Sequence, residues 1–395
     1  MAHDETLAAL AALARDKKVD LVFEGGAVWG TALVGALCVL EEQGYRPQNI
    51  AGTSAGAIVA SLVAAGYSGS DIRDVMFRQN FSALADPTWE ARIPVIGVPL
   101  SVVRHLGIHK GDVVLGLLRK HLAAKGVRTF KDLVHPEYAD QPAYRYRLQV
   151  IASNITDRRL LVLPRDAAAL GVAPDDLEVA LAVRMSMSIP LFFKPIHQRN
   201  KFARRTVLVT DGSMLSNFPV WLFDAGGVPE WPTFGLRLVE DDPRSELISE
   251  LPPAQHKRGI SGLIEFAKSL LHTMMDAHDR MYLETDTFVR TITIPTMGVP
   301  STDFNLTPET LNKLYESGRN AAQEFLATWS FEDYIAEFRS GRKAPDRRVE
   351  TGVLMRENAK ARSSVHSAGA GAGGGAGASQ TGSTPGMGGM GPTPG

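Results

Sequence analysis

The sequence predicts an α/β fold in three layers, a central, mostly parallel sheet covered by helices. Three observations predict it. Apolar runs of strand length alternate with stretches of helical period along most of the chain. The first two strand-to-helix units follow one another through short connections, as parallel neighbours with helical crossovers require. Each of those two strands also ends in a knot of small residues, "EGGAVWG" and "GTSAG".

The elements follow in order. Val19 to Phe23, "VDLVF", has the length and apolarity of a buried strand, and "TALVGALCVLEEQG" after it carries apolar residues at helical spacing up to a capping Gly44. "NIAG" is a short strand signal, and it leads into a small-residue helix ending at Gly66. Residues 67 to 134 alternate proline and glycine with apolar groups, which opposes one long element, and this stretch reads as a cap-like insertion. Further strands are expected at Tyr146 to Ile155, Arg159 to Pro164, Thr206 to Asp211, Thr233 to Leu238 and Phe288 to Ile294. Helices are expected at Asp176 to Met185, Ile260 to Leu283 and Pro308 to Trp329.

At 395 residues with 44% hydrophobic content, the chain can bury a large core as one domain, expected here over residues 19 to 335. Residues 1 to 18 read as an N-terminal helical extension. Residues 351 to 395 read as a disordered Gly/Ala/Ser-rich tail, with too few large apolar side chains to offset the entropy of ordering. The 42 basic and 43 acidic residues nearly cancel, so no bulk electrostatic argument points to nucleic acid. Cys38, the only cysteine, excludes an intramolecular disulfide and reads as a buried helix residue. Acids precede the first apolar stretch and basic residues follow it, the reverse of a secretory signal, and no run is long enough to span a membrane. A cytoplasmic location is therefore expected, with transient contact at a membrane surface left open.

The two small-residue knots carry the chemistry. Gly52-Thr53-Ser54-Ala55-Gly56 fits G-x-S-x-G, in which a serine occupies a tight turn between strand and helix and flanking glycines allow close backbone approach. Gly25, Gly26 and Ala27 lie at the end of the preceding strand, where backbone amides can form an oxyanion hole, cradle a phosphate, or merely let a helix pack closely. A dinucleotide fingerprint does not fit "GGAVWG", and no G-K-S or G-K-T completes a phosphate loop. Asp211, followed by Gly212, ends another strand, where such a pair also makes ordinary turns. His256, His272 and His278 follow Asp211 in the order of a serine-acid-histidine triad, but none stands in a glycine-framed setting at a strand end. The other histidines form no ligand pattern, and no cofactor or metal is expected.

With these residues in hand, the chain resembles the patatin-like phospholipases. "VFEGGAVWG" is similar to that family's glycine-rich loop, "GTSAG" to its nucleophile elbow and "TDG" to its acid motif, with "RMSMSIPLFFKP" and "SNFP" as further family-like segments. The resemblance runs from about Val19 to Trp329 and implies a Ser54–Asp211 catalytic dyad, an oxyanion loop at Gly25 to Ala27, and an acyl lipid substrate cleaved at its carboxylic ester through an acyl-enzyme. Two departures stand out: Ala27 occupies the place of a common third glycine, and Trp29 that of a common basic residue. Acyl transfer to an alcohol, or a catalytically impaired scaffold that binds lipid or protein, stay open as alternatives, and no protein partner is specified. Phe77, Phe81, Trp89 and "IPVIGVPLSVV" are candidates for an acyl channel, a lipid contact or the core of the cap; "RNKFARR" is a candidate phosphate contact or a solvated hairpin.

Overall fold

The computed structural model describes residues 17–79, 86–93, 97–142, 144–224, 227–239, 285–299 and 306–339. The expected N-terminal extension up to residue 16, the helix at 260–283, Phe81, His256, His272, His278 and the C-terminal tail lie outside the described residues.

An eight-stranded sheet organises the rest, in the order β10-β9-β1-β2-β4-β8-β7 with β5 also paired to β4. Its strands are β1 (Lys17–Phe23), β2 (Tyr45–Thr53), β4 (Leu148–Asn154), β5 (Arg159–Leu163), β7 (Ile196–Asn200), β8 (Arg205–Asp211), β9 (Thr233–Val239) and β10 (Thr291–Pro295). The pairs from β10 through β4 are parallel, whereas β5, β8 and β7 join antiparallel. The parallel part therefore matches expectation, and hairpin-type pairing extends it on one side. A separate two-stranded sheet joins β3 (Gly107–His109) to β6 (Leu191–Phe193).

Alternation along β1 shows why this sheet lies between layers. Val19, Leu21 and Phe23 enter the main core, while Val22 joins a second cluster on the other face with Ala51, Ile151, Val162 and Phe218 to Phe223. Helix α1 (Gly30–Glu42) is buried along its whole circumference from Gly30 to Leu40, including Cys38. It packs against α8 (Pro308–Thr328) so closely that a Cβ on Gly318 would lie 1.8 Å from the Ala32 carbonyl oxygen. Gly44 and Gly66, with φ of +85° and +90°, end α1 and α2 (Ala55–Ala64) as left-handed caps.

The cap-like stretch is more regular than its punctuation suggests. It contains α3 (Gly69–Arg78), α4 (Gly97–His105) and α5 (Asp112–Ala124). Pro99 stands in the first turn of α4, where its missing amide costs nothing, and the buried Val114, Leu118 and Leu122 form a four-residue-spaced stripe on α5. Among the described residues, no helix is long and apolar enough to cross a membrane. Helices α6 (Val179–Ser186), α7 (Thr285–Val289) and α9 (Phe331–Tyr334) are the other α-helices among the described residues. The "RNKFARR" segment is the turn of the β7–β8 hairpin, closed by the Asn200–Arg205 pair.

Candidate active site

Register on β4 brings the serine and the aspartate together. Strand β5 occupies one edge of β4 at Val150 to Asn154, so β2 (on Leu148 to Ile151) and β8 (on Ala152 to Asn154) share the opposite edge, end to end. Thr53 opposes Ile151 and Asp211 opposes Ala152. Ser54, one residue past Thr53, therefore emerges beside Asp211 although β2 and β8 run in opposite directions.

The serine sits on a strained joint. Ser54 has φ 51° and ψ −125°, a region that costs a non-glycine residue about 1–3 kcal/mol, and α2 starts at the next residue. Space for so sharp a bend comes from the flanking glycines. A Cβ on Gly52 would lie 2.5 Å from the Gly56 carbonyl oxygen, and one on Gly56 would lie 2.3 Å from that of Phe23. Both elbow glycines thus allow backbone to pack on backbone, and the buried Ser54 stands at the positive end of α2.

Asp211 is fully buried. Its Oδ1 accepts from the Ser213 amide at 2.8 Å and from the Ser213 hydroxyl at 2.6 Å, and Gly212 packs on the Ile151 backbone. Burial pushes its carboxyl up to about 6, against the pull of the Ser213 and Ser54 hydrogen bonds and the Arg184 charge. The Ser54 hydroxyl is near enough to lower that value, yet Asp211 Oδ2 closes no hydrogen bond of full geometry.

The "RMSMS" segment holds both residues, a role the sequence did not reveal. The Ser54 amide donates to Ser186 Oγ at 2.9 Å, and the Asp211 amide donates to the Ser188 carbonyl at 3.0 Å. Arg184 braces this turn. It is 1% exposed, and it donates to Ser188 Oγ (2.6 Å) and to the carbonyls of Lys110 (2.6 Å) and Lys194 (3.0 Å). Gly111, at φ +75°, leaves it room, since a Cβ there would lie 2.2 Å from the guanidinium. Burial brings the Arg184 group down to about 10, opposed by the charges of Asp86, Asp112 and Asp211.

The glycine-rich loop touches the serine directly. A Cβ on Gly25 would lie 3.0 Å from Ser54 Cβ and 2.3 Å from Asn217 Oδ1. The Gly25 amide donates to the Asn217 carbonyl at 3.3 Å, and the missing side chain of Gly25 gives the serine space. Gly26 and Ala27 open a short 3-10 turn at Ala27–Trp29, where the first amides have no preceding carbonyl to bond. Asn217 Nδ2 donates to the Gly25 carbonyl (3.2 Å) and to Glu24 (3.4 Å), and buried Glu24 accepts from the Leu238 amide. Trp29 is buried and donates its ring N–H to the Val299 carbonyl at 2.7 Å, a packing role where a basic side chain was the family expectation.

From Ser54 a cavity of about 100 Å³ runs into the protein. Ile58, Met76, Val114, Leu118, Ile189 and Phe193 are among its lining residues, which makes its walls largely apolar, with Thr31, Gln79 and His121 as polar exceptions beside Ser54. The two aromatic channel candidates among the described residues, Phe77 and Trp89, are not part of its lining. Phe77 packs edge-on against Tyr315, and Trp89 is 62% exposed. No described histidine bonds to Asp211: His105 pairs with Glu90, His109 stacks on Phe192, His121 lines the cavity and His197 is exposed on β7.

Fold and site together define an α/β protein with a glycine-framed serine at a strand-to-helix elbow. The chain belongs to the patatin-like phospholipase family, whose model matches residues 21–224. It is 37% identical over 313 residues to the uncharacterized protein YqhO of Bacillus subtilis, across 79% of this chain and 99% of that one. An uncharacterized protein of Acanthamoeba polyphaga mimivirus is 24% identical over 52% of this chain and 61% of its own length. Among solved structures, VipD from Legionella pneumophila aligns with a TM-score of 0.47 at 18% identity, over 79% of this chain and 67% of VipD. Family membership supports lipid hydrolysis in the broad sense.

Proposed function

We propose that the protein is a serine lipid acyl hydrolase that cleaves carboxylic esters of phospholipids or related acyl lipids through Ser54 and Asp211. The observation that carries this reading is a strained, helix-capping serine at the end of an apolar cavity, with the unengaged Oδ2 of a buried aspartate beside it. Ser54 Oγ attacks the ester carbonyl as its proton passes to Asp211 Oδ2. Desolvation has already brought this carboxylate to about 6, which makes it a stronger base than an exposed aspartate. The amides of Gly26 and Ala27, with the field of α2, stabilise the tetrahedral oxyanion. The alcohol leaves with the proton held by Asp211. Water then adds to the acyl-enzyme, gives a proton to Asp211, and Ser54 recovers that proton as the free acid departs.

The cavity suits the acyl part of the substrate, and a largely apolar lining selects for chain and shape more than for headgroup. Turnover of short-chain esters, phospholipids and neutral acylglycerols by the wild type and by Ser54→Ala tests the reading. Hydrolysis of at least one acyl lipid, abolished in a folded Ser54→Ala protein, is the expected result. Activity that survives the substitution moves the nucleophile elsewhere.

A further inference from the structure

Six of the twelve large apolar side chains left exposed among the described residues fall between residues 89 and 113: Trp89, Val98, Leu100, Val103, Leu106 and Val113. Helix α4 carries three of them, with the usual order of inside and outside reversed. Its buried face is polar. Ser101 is fully buried, bonded to Thr88 Oγ1 at 2.7 Å and to the Gly107 carbonyl at 2.8 Å, and His105 turns in to the buried Glu90 at 2.8 Å. Val103, on the outer side, is 70% exposed. Hydrogen bonds therefore hold α4 in place, and its apolar face contributes nothing to the folded core. A soluble surface rarely retains such a patch without a partner.

The charges around the patch select that partner. Arg92, Arg104 and Lys110 are exposed. Two of the nearby carboxylates are engaged in the fold: Asp86 accepts from the amides of Gly111, Asp112 and Val113, and Glu90 pairs with His105. Asp112 is the one exposed acid in the stretch. An apolar face with a tryptophan and a mainly basic rim is the chemistry of an anionic lipid interface. The chain segment that carries the patch also adjoins residues of the cavity wall. Strand β3 pairs with β6 at His109 and Phe193, and exposed Val113 precedes Val114; both Phe193 and Val114 line the cavity at Ser54.

We propose that α4 and its flanking residues form a membrane-docking face, which seats the protein on an anionic bilayer beside the acyl cavity. This inference rests on the proposed lipid hydrolase reading, because it supplies a dry route by which an acyl chain leaves the bilayer for Ser54.

Co-sedimentation of the full chain with vesicles tests it, in a Ser54→Ala background so that binding is read without hydrolysis. The probes are vesicles of phosphatidylcholine alone and of equal parts phosphatidylcholine and phosphatidylglycerol. Binding to the mixed vesicles, weakened by salt, is expected to fall by about tenfold or more in Val103→Glu/Leu106→Glu, since two apolar contacts become charges. Arg92→Glu/Arg104→Ala should weaken binding to mixed vesicles while barely altering that to phosphatidylcholine. In chains that keep Ser54, turnover of a soluble short-chain ester should be unchanged by either pair. Vesicle binding that is absent, or equal in wild type and both pairs, overturns the proposal. So does unchanged vesicle binding with a dimer that Val103→Glu/Leu106→Glu dissociates, which assigns the face to a second copy. Docking with no ester turnover in any Ser54-containing chain would instead remove the hydrolase reading.

Discussion

Replacing Asp211 by Asn should stabilise the fold at alkaline pH while abolishing its chemistry. Asparagine has the same shape, and its carbonyl can take the place of Oδ1 in accepting from Ser213. What changes is the charge. The buried carboxyl titrates at about 6 against 3.8 for an ordinary aspartate. A group raised in this way favours folding fully below its unfolded value, and that contribution is lost as pH rises through its folded value. At pH 8 the ionised side chain therefore costs the folded state about 3 kcal/mol, the gap between 3.8 and about 6 at roughly 1.4 kcal/mol per pKa unit. At pH 5 the protein is already largely protonated at this site, and the cost is roughly half as large. Urea unfolding of wild type and Asp211→Asn across that pH range measures the difference directly, and groups common to both chains cancel. The variant should be the more stable at pH 8, by a margin that narrows toward pH 5. A variant that is less stable at pH 8, or a margin that does not depend on pH, would refute the argument that Asp211 is held ionised at a desolvation cost.

Two further predictions follow from the same geometry. The rate of soluble ester hydrolysis should fall as pH drops through about 6, where Asp211 takes up its proton, and Arg184→Met should move this limb to higher pH, because the Arg184 charge holds the carboxyl down; a pH–rate profile with an unmoved limb would remove Arg184 from the electrostatics of the site. Gly26→Val should lower turnover roughly a hundredfold, about 3 kcal/mol of lost oxyanion stabilisation, with a smaller effect on unfolding. A Cβ there meets the movable end of Leu238 at 2.4 Å, so parallel kinetics and chemical unfolding can separate the two effects.

Much of this site is legible in the amino-acid sequence. The strand-to-helix joints at Phe23 and Thr53 are local events, written in short apolar runs and glycines, and local patterns survive folding. Gly44 and Gly66 were readable as caps for the same reason: only glycine takes a positive φ at no steric cost. The pairing of Ser54 with Asp211 was legible as a motif, but its cause was not. It depends on β2 and β8 sharing one edge of β4, a long-range register that no single segment encodes. The role of Arg184, Ser186 and Ser188 was hidden because a buried polar side chain bonded to distant backbone has no periodic signature. The sequence left Phe77 and Trp89 open as channel wall, lipid contact or cap core, because aromatic content marks apolarity without marking location. The lining comes instead from aliphatic positions such as Met76, Val114 and Leu118, which are ordinary inward faces of their helices.

Covalent labelling tests the central claim most directly. A lipid-like fluorophosphonate should form an adduct that peptide mass spectrometry locates on Ser54. Labelling should vanish in Ser54→Ala and drop sharply in Asp211→Asn, with circular dichroism showing both variants folded. Equal labelling of a folded Ser54→Ala chain, or an adduct on another residue in the wild type, would contradict the account.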